Sequence, residues 1–195
     1  MKIIDILIDA GHFLGLKEEV EILNGVTEET EEFSLETNER VSKLFNLFKF
    51  SIKELCSNYA PMITSIKVQT SNTEFPLNEL ENYIRIQNVK KDEDLVKYKI
   101  INRKIIFAED GEYEVSYFTY PNITSLFDEI DYLNDLSPDV VVFGLCAYFS
   151  LAYGMFEEFE NFHEEYVTKA ESLKGLKCFN LPNRRWEWET KKLLK

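Results

Sequence analysis

Five carboxylates crowd one stretch of the chain: Asp128, Glu129, Asp131, Asp135 and Asp139, with no Lys or Arg between residues 121 and 150. Oxygen ligands at this density could hold Mg²⁺ or Ca²⁺, and a metal-dependent hydrolase is the chemistry they would serve. The stretch lacks the spacing and the glycine of a calcium loop. A solvated acidic loop is the plainer reading, because Asp and Glu ahead of a helix favour its dipole. The two histidines offer less. His12 stands between Gly11 and Phe13, and His163-Glu164-Glu165 has Val167 where a zinc-protease helix needs its second histidine. Gly11-His12-Phe13-Leu14-Gly15 lacks the Lys-Ser/Thr of a phosphate loop. Ser150 and Cys146 are nucleophile types with no base near them in the sequence. Cys56, Cys146 and Cys178 are odd in number and far apart, which reads as reduced core packing rather than a disulfide framework. No catalytic set, metal or cofactor is expected.

The residues best suited to recognition lie at the other end. Residues 174–195 carry seven Lys or Arg against two Glu, a net charge of +5, which leaves −18 on residues 1–173. This basic tail also holds Trp186 and Trp188, the chain's only tryptophans, beside Arg184 and Arg185. Three readings are open: a solvated end, a nucleic-acid contact through stacking, or a segment that docks into a partner protein. Trp and Arg dominate interface hot spots, and exposed tryptophans are otherwise a solubility cost, so partner docking is favoured. Leu181-Pro182-Asn183 would hold the segment extended.

The elements that must position these residues follow from periodicity. Ile3, Ile4, Leu7, Ile8 and Leu14 recur at helical spacing, with Gly11 and Gly15 bounding the end. Residues 16–33 hold seven Glu and one Lys, which reads as an acidic link with room for a short helix at Glu18–Leu23. A second helix is expected from an N-cap at Ser34 to Pro61, broadly apolar from Leu35 through Tyr59. Period two then takes over. Ile66 and Val68, residues 83–89, Val96-Tyr98-Ile100, residues 105–107 and Tyr113-Val115-Tyr117 form an antiparallel β-meander, with Asp110-Gly111 as a hairpin turn. Ser137-Pro138 opens a third, almost wholly apolar helix that reaches Tyr153 and Gly154. A fourth occupies Glu157–Leu173, closed by Gly175. The expected body is residues 1–175, with helices 2–15, 34–60, 137–154 and 157–174 and a β insertion over 62–121, followed by an arm at 176–195. The fold class is α+β: a helical bundle of two N-terminal and two C-terminal helices, an inserted antiparallel β-meander and an extended C-terminal arm.

Composition bounds the function classes. The 195 residues are 45% apolar and 29% charged with a net charge of −13, a globular mix large enough for one sizeable core. The acidic balance argues against general nucleic-acid binding. The apolar start carries Asp5 and Asp9, unlike a signal peptide, and no run approaches the roughly 18 apolar residues of a membrane span.

The pattern resembles head–tail connector proteins of tailed bacteriophages, in their portal adaptor and tail gatekeeper branches. Residues 3–15, with Ile4, Leu7, Asp9-Ala10 and Leu14-Gly15, are similar to the opening helix of that family. An acidic link and a second helix entered through polar residues at Asn38 follow. Tyr117 to Leu173 is similar too, running from a strand that ends Tyr-x-x-Tyr-Pro through an acidic link to Leu136-Ser137-Pro138 and two closing helices. The large β insertion and the strongly aromatic second helix depart from the family pattern. The resemblance implies a structural, non-enzymatic role at the virion neck after synthesis in the bacterial cytoplasm. It implies a ring of about twelve copies under the portal protein, joined head to tail. The ring would extend the channel through which DNA passes without specific binding, and would dock the next tail or neck component without touching a membrane. The arm, with Arg184, Arg185, Trp186 and Trp188, would reach the portal. The rivals are the metal-dependent hydrolase built on the 128–139 carboxylates and a cytoplasmic inhibitor or binding module.

Overall fold

A computed structural model describes residues 2–131 and 136–177. The order of elements is four helices, a β insertion and two long helices, so the chain has the α+β class. Helix α1 (Ile3–Phe13) buries Ile3, Ile4, Ile6, Leu7 and Ala10 along one stripe. Gly15, at φ +70°, ends it in a conformation that disfavours other residues. Gly11 does not bound the helix but lies inside it. A Cβ there would come within 2.5 Å of Val20 on α2 (Lys17–Gly25), so the glycine lets the two helices approach. The acidic link is thus largely helical, with Val20 and Leu23 buried.

The second expected helix divides in two. Ser34 sits inside α3 (Glu31–Thr37), and the true N-cap is Asn38, whose Oδ1 accepts the Val41 N–H at 2.9 Å to open α4 (Glu39–Asn58). Asn38 combines extended backbone with a side chain that satisfies an orphan donor, which Ser34 has no opportunity to do. Helix α4 buries Val41, Leu44, Phe45, Phe48, Ile52, Leu55 and Cys56, a stripe wide enough for neighbours on more than one side.

Helix α5 (Pro138–Ala152) starts at Ser137-Pro138, with proline at the first helical position where its missing N–H costs nothing. Residues 140–142, 144–147, 149 and 150 are all buried, and α5 packs against α1, α4 and the final helix α6 (Phe156–Lys177). It is the centre of the helical core. Gly154, at φ +72°, closes it with the Met155 N–H donating to the Ser150 carbonyl at 2.9 Å, the pattern of a Schellman cap. Gly175 does not close α6, which continues through it to Lys177.

The β insertion is antiparallel throughout and forms two sheets. One contains β1 (Met62–Thr70), β3 (Tyr83–Lys91), β4 (Asp94–Leu95) and β7 (Gly111–Thr119) in the order β1-β7-β3-β4. The other contains β2 (Glu74–Pro76), β5 (Lys99–Ile101) and β6 (Lys104–Ile106) in the order β2-β6-β5. The two sheets share a core of Val68, Phe75, Val89, Ile105, Tyr113 and Val115, separate from that of the helices.

The tight hairpins are not where a glycine advertises them. Asp92-Glu93 (φ 50° and 71°) joins β3 to β4, and Asn102-Arg103 (φ 50° and 60°) joins β5 to β6. Positive φ at both central residues is the type I′ turn that matches strand twist. Asp110-Gly111 instead connects different sheets. Its strand β7 pairs with β1, and the Asp110 carboxylate accepts the Thr73 N–H at 2.6 Å to brace that crossing.

Candidate functional site

The acidic stretch resolves into separate structural tasks. One oxygen of Asp128 accepts the N–H groups of Thr124 at 2.8 Å and Ser125 at 2.9 Å, and the Thr124 hydroxyl at 3.2 Å. Burial pushes this carboxyl up, but those hydrogen bonds, with Lys49 nearby, outweigh it and hold it below the usual carboxylate range. The loop it shapes closes the start of α1. The Ile4 N–H donates to the Leu126 carbonyl at 2.8 Å and the Ile3 N–H to the Asp128 carbonyl at 3.2 Å, satisfying donors that a helix start leaves open.

Glu31 reaches this loop from α3. Its carboxylate accepts the Ser125 hydroxyl and the Leu126 N–H, each at 2.7 Å. Glu129 bridges to Lys2 through the backbone, Asp131 is exposed, and Asp139 faces Lys169 across 3.7 Å. Asp135 lies outside the described residues. Among the described residues, no three His, Cys, Asp or Glu side chains gather as a metal would require.

The nucleophile types are inside the core. Ser150 and Cys146 are fully buried, and burial pushes the Cys146 thiol up to about 12, away from the reactive thiolate. Cys56 is buried as well. Cys178 lies outside the described residues. His12 is exposed in the last turn of α1, and His163 lies on α6 against Phe159, with ring centroids 5.1 Å apart.

One cluster escaped the sequence reading because its members are scattered. Tyr166 on α6 donates its hydroxyl to Glu54 on α4, and Tyr59 and Tyr148 pack against the Tyr166 ring at 5.8 and 6.4 Å. Burial first, then the Glu54 carboxylate, drives the Tyr166 phenol up, while Tyr148 is pushed up to about 12 for the same reasons. These phenols stay protonated at neutral pH, so they donate hydrogen bonds and do not act as bases. Glycine at 144 makes the junction possible: a Cβ would meet the Ser51 hydroxyl at 2.7 Å and the Tyr166 ring at 3.0 Å.

What the fold leaves outside is apolar surface. On the helices, Phe13 is 58% exposed with its ring 5.5 Å from Phe143, Phe156 is 65% exposed, and Leu151 and Tyr153 are partly uncovered. On the β insertion, Leu95, Ile100 and Ile101 stand out from β4 and β5, each at the edge of its sheet. An exposed edge strand has unpaired backbone groups with which another strand is able to pair. The arm residues Arg184, Arg185, Trp186 and Trp188 lie outside the described residues. No helix among the described residues is long and apolar enough to cross a membrane; α5, at 15 residues, falls short of the span.

No protein-family model matches this chain, and no curated protein matches it.

Proposed function

We propose that this chain is a non-catalytic assembly subunit, a head–tail connector of the tailed-bacteriophage type that works at the virion neck. The observation that carries the reading is the pairing of exposed apolar surface on both halves of the molecule with inward-turned chemistry. Phe13, Phe156, Leu95 and Ile100 face outward, whereas Cys146 and Ser150 are sealed in the core and Asp128 is committed to its loop. A subunit that contacts several neighbours at once needs such surfaces. Support also comes from the order of the helices, an N-terminal helical half and two closing helices after an acidic stretch, which is the order that the resemblance implies; the β insertion between them departs from it.

In this role the copies form a ring, the body lines or surrounds a channel for DNA, and the next tail or neck component docks on a free face. The basic arm at 176–195 engages the portal protein through Arg184, Arg185, Trp186 and Trp188. The acidic body repels passing DNA instead of holding it.

The test is partner capture. The tagged chain is co-expressed with the products of the genes that flank its own, and what co-purifies is identified. A large, ring-sized, near-stoichiometric partner supports the connector. A single small partner, or none together with tight divalent-metal binding in calorimetry, sinks it. Within a captured complex, the double substitution Arg185→Ala with Trp186→Ala weakens docking by about 2–4 kcal/mol, read as a rise in Kd.

A further inference from the structure

Two exposed apolar features with surrounds of opposite charge sit on different elements of this one chain. The hairpin of β5 and β6 has an open cleft of about 850 Å³ beside it, walled mainly by Val96, Tyr98, Ile100, Ile106, Phe107 and Ala108. Lys97 and Lys99 line it as well, and residues 96–104 hold four cations and no acid. Lys104 is engaged with Glu74 at 2.6 Å, but among the described residues Lys97, Lys99 and Arg103 take part in no ion pair. Lysines on an edge strand discourage indiscriminate pairing. They do not account for Ile100 and Ile101, which stand exposed beside them.

The second feature is α3. Phe33 is 69% exposed there, the most exposed large apolar side chain among the described residues. Glu32 and Glu36 are exposed on the same short helix, and Glu28 and Glu29 lead into it. Residues 28–39 hold six Glu and no Lys or Arg. An aromatic knob with an acidic surround is thus matched in sign by a cleft with apolar and basic lining. Phe33 is open to solvent, so the monomer does not make this contact with itself.

We infer that α3 of one copy docks on the β5–β6 hairpin of the next, with Phe33 seated in the cleft and Glu32 and Glu36 facing Lys97 and Lys99. The occupant is a second copy of this chain because both complementary surfaces belong to it. With a net charge of −13, copies repel in most orientations, and a basic hairpin against an acidic helix is an orientation that reverses this. Knob and cleft are different patches on different elements, so a copy that gives its knob to one neighbour keeps its cleft for another, the head-to-tail contact that a closed ring uses. The inference rests on the reading of the chain as an assembly subunit and names the lateral contact of that assembly.

The test uses the full chain. A photo-crosslinking benzoylphenylalanine at position 33 is irradiated at millimolar protein, and the adduct is mapped by mass spectrometry. Adducts within residues 96–108 of another copy are expected. In sedimentation velocity, Phe33→Ala weakens self-association about 10- to 30-fold. The double variants Lys97→Glu with Lys99→Glu, and Glu32→Lys with Glu36→Lys, each abolish it. Mixing the two restores it, because each then offers the other a matched pair, and all four positions are outside the cores. A chain that stays monomeric, adducts elsewhere, or a mixture that fails to reassociate overturns the inference. Adducts at the hairpin without a portal-type partner uphold this contact and sink the connector. Capture of such a partner without those adducts does the reverse.

Discussion

Asp128 shows how one carboxylate can be spent on architecture. Its single oxygen gathers three donors, and the loop so fixed supplies the carbonyls that close the start of α1. Asp128→Asn is expected to cost about 1 kcal/mol at neutral pH, measured by chemical denaturation, since hydrogen bonds to a charged acceptor are the stronger kind. The folded carboxyl sits below its ordinary value. Its contribution is therefore fully present above the unfolded value and is lost as pH falls through the folded one. The stability gap between wild type and Asp128→Asn should accordingly close in acid, below the usual carboxylate range. A gap that instead widened in acid would refute the assignment. Gly144 makes a comparable point about space. Three helices meet where a Cβ would strike the Ser51 hydroxyl and the Tyr166 ring. Gly144→Ala should destabilise by about 1–3 kcal/mol through overpacking, despite alanine's better helix propensity.

At the scale of elements, the turns and caps decide where segments end. The two I′ hairpins place Glu93 and Arg103 at positive φ, where a side chain is strained and glycine is not. Glu93→Gly and Arg103→Gly should each stabilise by about 0.5–1 kcal/mol, read from thermal or denaturant unfolding. A loss of stability at either site would show that its side chain contributes more than its strain costs. The edge strands carry the consequence for function. Lys99 on β5 and the shortness of β4 limit unwanted pairing, yet Ile100 and Leu95 remain exposed.

For the whole molecule, the proposed division of labour between body and tail can be checked. Among the described residues the last buried side chain of the helical core is Leu173, so a chain ending at Lys177 should keep its circular dichroism and melting transition while losing partner capture. A truncated chain that still captures its partner would place the docking surface on the body. One that fails to fold would show that residues beyond 177 belong to the core.

Much of the helical core was legible because its physics is local. A run as uniformly apolar as residues 140–151 can only be a central element, Ser137-Pro138 can only begin a helix economically, and Gly154 has no side chain to oppose the left-handed cap that ends it. Pro61 and the period-two stretch after it likewise announced the change from helix to strand. Other features depended on partners distant in sequence. Alternation tells which face of a strand is buried but not which strand lies beside it, so the pairing of β7 with β1 and the demotion of Asp110-Gly111 from hairpin to crossing were not readable. Gly11 reads as a helix end until Val20 is found against it. Asn38 outranks Ser34 only once the chain direction changes there. The acidic residues were visible as a cluster, but their tasks were not, because a carboxylate's role is set by the donors that folding brings to it. The sequence by itself determined the class of fold, the apolar centre and the contrast between acidic body and basic tail, all of which follow from composition and period. Only the tertiary structure decided strand order, the use of each carboxylate, and the placing of a basic cleft and an acidic aromatic knob on separate surfaces, since these arise from contacts between residues far apart in the chain.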